Sequence, residues 1–213
     1  MKNWTLYFIL IFLTHSLFGG NMLDDKQKAA NTANDICPIK IGEQIPDVTL
    51  KNSDYEMINL LNLILGKRSI LIFYRGGWCP YCNLHLADLV KIDNKLINLG
   101  YQIIAISIDK PDKIKESLAK YKPNYILLSD SKADASKAFG LAFKVDDTNI
   151  ELLKSHNMNI EEASGEKHNI LPVPAVFMLN KEGIIQFEYV NPNYKVRLKS
   201  EIILKVAEEY SLE

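Results

Sequence analysis

The run Ile70-Leu71-Ile72-Phe73-Tyr74-Arg75-Gly76-Gly77-Trp78-Cys79-Pro80-Tyr81-Cys82 constrains the fold more than any other part of the chain. A continuous apolar stretch rich in β-branched residues reads as a central strand buried on both faces. It ends in a glycine turn, and a Cys-x-x-Cys pair follows where a helix should start. The first helical turn brings two thiols at that spacing close enough to close a small disulfide ring. The unsatisfied N–H groups and the positive dipole end of the helix favour thiolate over thiol. Cysteines so placed often have pKa values of roughly 3.5–7.5, which makes them nucleophiles at neutral pH. A zinc knuckle is the competing reading. A closed zinc site wants four ligands, and Cys37 is the only other cysteine, so the pair is read as a redox site.

The rest of the chain supports one domain around that strand. With 213 residues, 47% of them hydrophobic, a single buried core is well within reach. A net charge of −1 gives no reason to expect nucleic acid or an anionic membrane as partner. Three cysteines are too few for a disulfide scaffold.

Residues 1–20 read as a secretory signal: Lys2, the apolar run Leu6 to Leu13, then Gly19 and Gly20. The run is shorter than the roughly 20 residues a spanning helix needs, although Leu17 and Phe18 make a poor cleavage context and an uncleaved anchor is the alternative. The mature chain is expected to begin near Asn21, in an exported, periplasmic setting. There a thiol pair acting as a reductant needs a dedicated dithiol donor. Residues 21–36 are polar and read as a linker, and 37–213 as the folded domain.

Within that domain, Asp47–Leu50, Tyr101–Ser107 and Tyr125–Leu128 read as strands. Tyr81–Leu99 is expected as one helix stopped by Gly100, with further helices at Lys113–Lys120, Lys132–Phe139 and Ser200–Tyr210. Ala175–Leu179 and Ile184–Tyr189 flank Asn180-Lys181-Glu182-Gly183 as a β-hairpin. The expected architecture is an α/β central mixed sheet flanked by helices, parallel in its first part and antiparallel at the hairpin, with a closing helix. Ligands of such sheets gather at the carboxyl ends of strands, which is where Cys79 and Cys82 fall. The stretch from Asp146 to Ile170 reads as an insertion carrying a helix near 150–156.

Four stretches carry a resemblance covering Ile41 to Leu204: Gly42-Glu43-Gln44-Ile45-Pro46-Asp47, Phe73 through Cys82, Leu171-Pro172-Val173-Pro174-Ala175, and Asn191-Pro192-Asn193-Tyr194 with Arg197. The chain resembles the thioredoxin-fold peroxiredoxins of the alkyl hydroperoxide reductase and thiol-specific antioxidant group, most of all their bacterial peroxiredoxin-like branch. The resemblance implies a thioredoxin-like fold and a cis-Pro174 facing the cysteines. It also implies a groove shaped by Trp78, Tyr74, Val173 and Pro174. Gap-free matching puts Cys82 at the peroxidatic position, Cys79 at the usual threonine, Arg75 at the usual proline, and Pro174 where an arginine is expected.

Three readings of function follow. In a peroxidase, peroxide oxidises one cysteine to sulfenic acid, the other closes a disulfide, and a thioredoxin-like donor restores the pair without a metal or organic cofactor. The alignment nominates Cys82 for the attack on peroxide, with the more exposed Cys79 closing the disulfide and Arg75 supplying a cation. In an exported thiol–disulfide oxidoreductase, Cys79 attacks protein disulfides instead; Trp78, the Pro80-Tyr81 dipeptide and cis-Pro174 suit that reading. In a copper-binding module, Cys79, Cys82 and His85, with His156 or His168, are the ligands. Cys37 is expected as a passive buried thiol or a remote resolving cysteine. Asp109 and Asp130, at strand ends, are expected to cap helices or to bias proton transfer.

Overall fold

The computed structural model describes residues 28–212; the expected signal segment lies outside the described residues. Among the described residues nine strands form the frame: β1 (Thr49–Lys51), β2 (Met57–Asn59), β3 (Arg68–Phe73), β4 (Tyr101–Ser107), β5 (Ile126–Ser129), β6 (Ala142–Lys144), β7 (Ile170–Pro172), β8 (Ala175–Leu179) and β9 (Ile185–Val190). Seven make one sheet in the order β2-β1-β5-β4-β3-β8-β9, and β6 pairs with β7 separately. β3, β4 and β5 run parallel; β8 is antiparallel to β3, and β9 to β8. This is the expected mixed sheet, with the hairpin at its antiparallel edge.

Helices cover both faces: α1 (Leu60–Ile64), α2 (Pro80–Val90), α3 (Asp93–Asn98), α4 (Pro111–Tyr121), α5 (Asp134–Ala138), α6 (Asp147–Ser155), α7 (Ile160–Ser164) and α8 (Ser200–Tyr210). Alternation along β3 divides the core. Ile70, Ile72 and Tyr74 join Leu86, Leu89 and Ile203 on one face, while Leu71 and Phe73 join Leu60, Phe139 and Phe177 on the other. Both faces are therefore apolar, which is why the strand reads as an unbroken hydrophobic run. Phe73, Phe139 and Phe177 meet with ring centroids 4.8–6.2 Å apart, in tilted and edge-on geometries that suit aromatic quadrupoles.

Several expectations need correction. Residues 81–99 form two helices because Asp93 turns inward: its buried carboxylate accepts from the N–H groups of Asn94 (2.6 Å) and Asn124 (3.1 Å). That breaks the ladder at Lys91–Ile92. No described peptide bond is cis, so Pro174 follows a trans bond. Ile170–Pro172 pair with β6, the Val173 N–H donates to the Leu141 carbonyl (2.9 Å), and the chain runs extended straight into β8. An unbroken extended run keeps the trans form that X-Pro bonds already favour by roughly 0.5–1 kcal/mol. Cys37 is exposed, not buried. Its backbone is the part that packs: the Cys37 carbonyl presses against Gly140 and leaves no room for a Cβ there, at a φ of +66° that already favours glycine.

Residues 28–36, part of the expected linker, are tied to the domain. Ala30 bonds Ala142 (2.8 Å) and Lys144 (2.9 Å) along β6. The insertion between β6 and β7 contributes α6 and α7, which brings Leu153, Ile160 and Ala163 against Trp78 and Ile108. No described helix is long and apolar enough to cross a membrane.

A buried thiol pair beneath an arginine and a strap

The thiols sit where β3 gives way to α2. The Tyr74 N–H extends the parallel ladder by donating to Ile106 (3.0 Å), and the chain then turns through Gly76 and Gly77. Gly76 has φ +151°, and a Cβ there would lie 2.7 Å from Asp109 Oδ1 and run into the Trp78 indole. The Gly77 N–H donates to Asp109 Oδ2 (2.6 Å), pinning the turn to the end of β4. Cys79 is the extended residue before the helix and Pro80 opens its first turn, where a missing N–H costs nothing.

Both cysteines are free thiols, 1% and 0% exposed. The expected exposure of Cys79 is thus corrected; the chain after β9 folds over it. The Cys82 thiol donates to the Cys79 sulfur. Against the opposing effect of burial, that bond, the Cys82 backbone N–H, Arg75 and Arg197 together bring Cys79 down to about 6. Cys82 moves the other way: burial, then its bond to Cys79, push it well above the ordinary thiol value. Electrostatics therefore put the thiolate on Cys79, the reverse of the order that the alignment implies.

Arg75 is only 7% exposed, yet no described carboxylate pairs with it. Its guanidinium carbon lies 4.1 Å from the Tyr194 ring centroid and 5.1 Å from that of Trp78, and its Nε has no partner among the described residues. Cation–π attraction to the two aromatic faces holds the buried guanidinium in place. It lines a groove of about 220 Å3 shared with Phe143, Val145, Leu153, Pro174 and Tyr194. The insertion thus walls the entrance to the site.

Of the expected groove residues, Pro174 lines this apolar groove. Trp78 lines a neighbouring polar cleft of about 300 Å3 with Asp109 and Lys113. Tyr74 and Val173 lie buried below, Tyr74 because the β3 alternation turns it into the core beside Cys82. Asp109 is buried, and desolvation raises its carboxyl to about 6 despite the Gly77 N–H. Asp130 does the helix capping expected of it, accepting from the N–H groups of Ala135 (2.9 Å) and Ser136 (2.8 Å) and from the Ser136 hydroxyl (2.6 Å).

The copper reading finds no support in this arrangement. His85 is buried and held neutral, near 4, by desolvation. The His156 and His168 rings bond the backbone at Leu152 (2.8 Å) and Ser131 (2.7 Å). Among the described residues no three His, Cys, Asp or Glu side chains are grouped to hold a metal.

One residue that the structure brings to the thiols was not assigned a place there by reasoning from the sequence. Arg197 Nη2 donates to Cys82 Sγ at 3.2 Å across 115 positions of sequence. Its only signal was its place in the Asn191–Arg197 stretch that carries part of the resemblance. The whole stretch is a strap: Tyr194 stacks edge-on with Tyr81 (5.7 Å), His85 bonds the Leu198 backbone, and the Ser200 hydroxyl donates to Asp88 (2.7 Å).

Comparison with known proteins gives the family and the fold. Residues 41–188 match the AhpC/TSA family. The chain is 31% identical over 104 residues to peroxiredoxin Bcp of Escherichia coli, an overlap of 49% of this chain and 66% of that protein, just under two-thirds of its length. Among solved structures it is similar to reduced Prx3 of Vibrio vulnificus in complex with hydrogen peroxide. That match has a TM-score of 0.65 and 18% identity, and covers 79% of this chain and 99% of that one. It is also similar to peroxiredoxin Q of Xanthomonas campestris, with a TM-score of 0.62 and 17% identity over 80% and 98% of the two chains. At those identities the structural likeness speaks for the thioredoxin-like fold alone.

Proposed function

The chain belongs to the AhpC/TSA family, and from that premise we propose that it is a thiol-dependent peroxidase working through Cys79 and Cys82. The observation that carries this reading is a buried pair of free thiols beside the unpaired Arg75 guanidinium, with the Cys79 thiol lowered by its bond from Cys82 and by Arg75. The Cys79 thiolate attacks one peroxide oxygen, the O–O bond breaks, and the departing oxygen leaves as water or an alcohol after taking a proton. Cys79 is left as sulfenic acid. Cys82 condenses with it to a disulfide, and a thioredoxin-like dithiol reduces the pair. Arg75, unpaired and facing the groove, suits the oxygen that gathers negative charge.

Burial of both sulfurs favours a peroxide over a protein disulfide as the oxidant, because a small molecule reaches a site that a folded partner does not. Peroxide consumption with and without a thioredoxin system, run beside insulin reduction, separates the two. Loss of peroxide turnover is expected in both Cys79→Ser and Cys82→Ser; full turnover in both variants refutes the assignment. After one equivalent of peroxide, a sulfenic-acid trap is expected to label Cys79 in Cys82→Ser. Labelling only Cys82, in Cys79→Ser, restores the order expected from alignment. The N-terminal apolar run supports export to the periplasm, and mass spectrometry of the native N-terminus tests it: a start near Asn21 is expected.

A further inference from the structure

We infer that Arg197 is a catalytic residue of the second chemical step: resting on the peroxidase reading, its guanidinium holds the Cys82 sulfur as the anion that attacks oxidised Cys79. Arg197 is half-buried, its Nη2 lies on Cys82 Sγ, and its Nε and Nη1 are buried without partners among the described residues. No described carboxylate pairs with it. A cation is thus stationed on a sulfur that is a neutral thiol at rest. The arrangement makes sense if that sulfur must become an anion during turnover.

The need for it is specific to the second step. Burial disfavours the Cys82 thiolate, and Arg197 is the side chain that opposes this. The other titratable groups facing this sulfur do not serve. His85 is neutral, Tyr74 is a buried phenol pushed well above its ordinary value, and Arg75 reaches Cys82 through its backbone. Before oxidation the Cys82 proton is shared with the Cys79 thiolate. Once Cys79 is sulfenic acid that acceptor is gone. Cys82 then loses its proton to solvent and attacks the Cys79 sulfur as the thiolate; the S–S bond forms, the S–O bond breaks, and the departing hydroxide takes a proton from solvent to leave as water. Arg197 stabilises the thiolate at that moment. In the gap-free match to peroxiredoxins the later-strand arginine is replaced by Pro174; here the cation arrives from the strap after β9, and on the second sulfur.

Rapid mixing of reduced Arg197→Gln with one equivalent of hydrogen peroxide tests this, in a Cys37→Ser background. Sulfenic acid on Cys79 is expected to form, slowed less than the second step because Arg197 contributes least among the groups that lower Cys79, and then to persist. Disulfide closure slows by about tenfold or more, since each pKa unit changes the thiolate fraction about tenfold. Arg197→Lys keeps the charge and is expected to recover part of the rate. Ser200→Ala frees the strap from Asp88 without touching Cys82 and should close at close to the wild-type rate. Wild-type closure in Arg197→Gln, or equal slowing in Ser200→Ala, overturns the inference. A second readout does not need peroxide. In Cys79→Ser, ultraviolet titration should place the Cys82 thiolate at higher pH when Arg197 is also replaced by glutamine, and no shift overturns the assignment. A chain with that shift but no sulfenic acid would fail as a peroxidase while keeping Arg197's hold on Cys82.

Discussion

Replacing Asp109 by asparagine should stabilise the protein, and more so at high pH. In the unfolded chain this carboxyl titrates near 3.8, and desolvation raises it to about 6 in the fold. Well below 3.8 both states carry the proton and the group is silent. Between the two values the unfolded state ionises while the folded state does not, so stability is lost as pH rises. Above 6 the fold carries the whole cost of a buried charge, about 3 kcal/mol for a carboxyl raised from 3.8 to about 6. The amide of an Asp109→Asn variant keeps an oxygen for the Gly77 N–H, so the turn at Gly76–Gly77 stays pinned. Urea unfolding of the reduced protein, followed by circular dichroism, should give Asp109→Asn an advantage of about 1 kcal/mol near pH 4.5 and about 3 kcal/mol near pH 7.5. Asp130 and His85 titrate alike in both proteins and cancel in the difference. An advantage that does not grow with pH, or a variant less stable at both, refutes the reasoning.

Two further outcomes are open to direct measurement. Alkylation of reduced Cys79 in a Cys37→Ser background should rise through a midpoint near 6 and level off above it; a midpoint at the ordinary thiol value of about 8.5 removes the thiolate from Cys79. Gly76→Ala forces a side chain into Asp109 and the Trp78 indole at positive φ, with an expected loss of about 2–4 kcal/mol; an unchanged melting temperature would show that the turn relaxes freely.

Much of the frame was legible because it rests on long, one-sided signals. β3 is an apolar run with nothing charged from Ile70 to Tyr74, and the hairpin turn is written in Asn180 and Gly183. The Asn180 side chain accepts from the N–H groups of Glu182 (3.1 Å) and Ile184 (2.8 Å), and Gly183 takes φ +77°. β6 and β7 escaped notice because three-residue strands show no alternation to count. The break at Asp93 escaped because a polar residue on a helical stripe reads as solvated until its partner, the Asn124 N–H, is known. At the site, local chemistry picked out Cys79, Cys82 and Arg75. Arg197 was invisible in that role because its meaning lies in a return of the chain to Cys82, which no spacing encodes. Pro174 misled because its cis bond was carried over from the resemblance, whereas the extended run from β7 into β8 sets its geometry in this chain.

Placing the indole of Trp78 against the Arg75 guanidinium, one residue from Cys79, has an optical consequence. The only other tryptophan is Trp4, in the expected signal segment. A chain beginning near Asn21 therefore emits tryptophan fluorescence from a single ring, beside the groups whose charge and bonding change in the proposed oxidation. Loss of the Cys79 thiolate and any shift of Tyr194 on Arg75 alter the field at that ring. On the peroxidase reading proposed above, the molecule is its own dye: a fluorimeter and an untagged, unlabelled sample would follow the proposed redox cycle turnover by turnover.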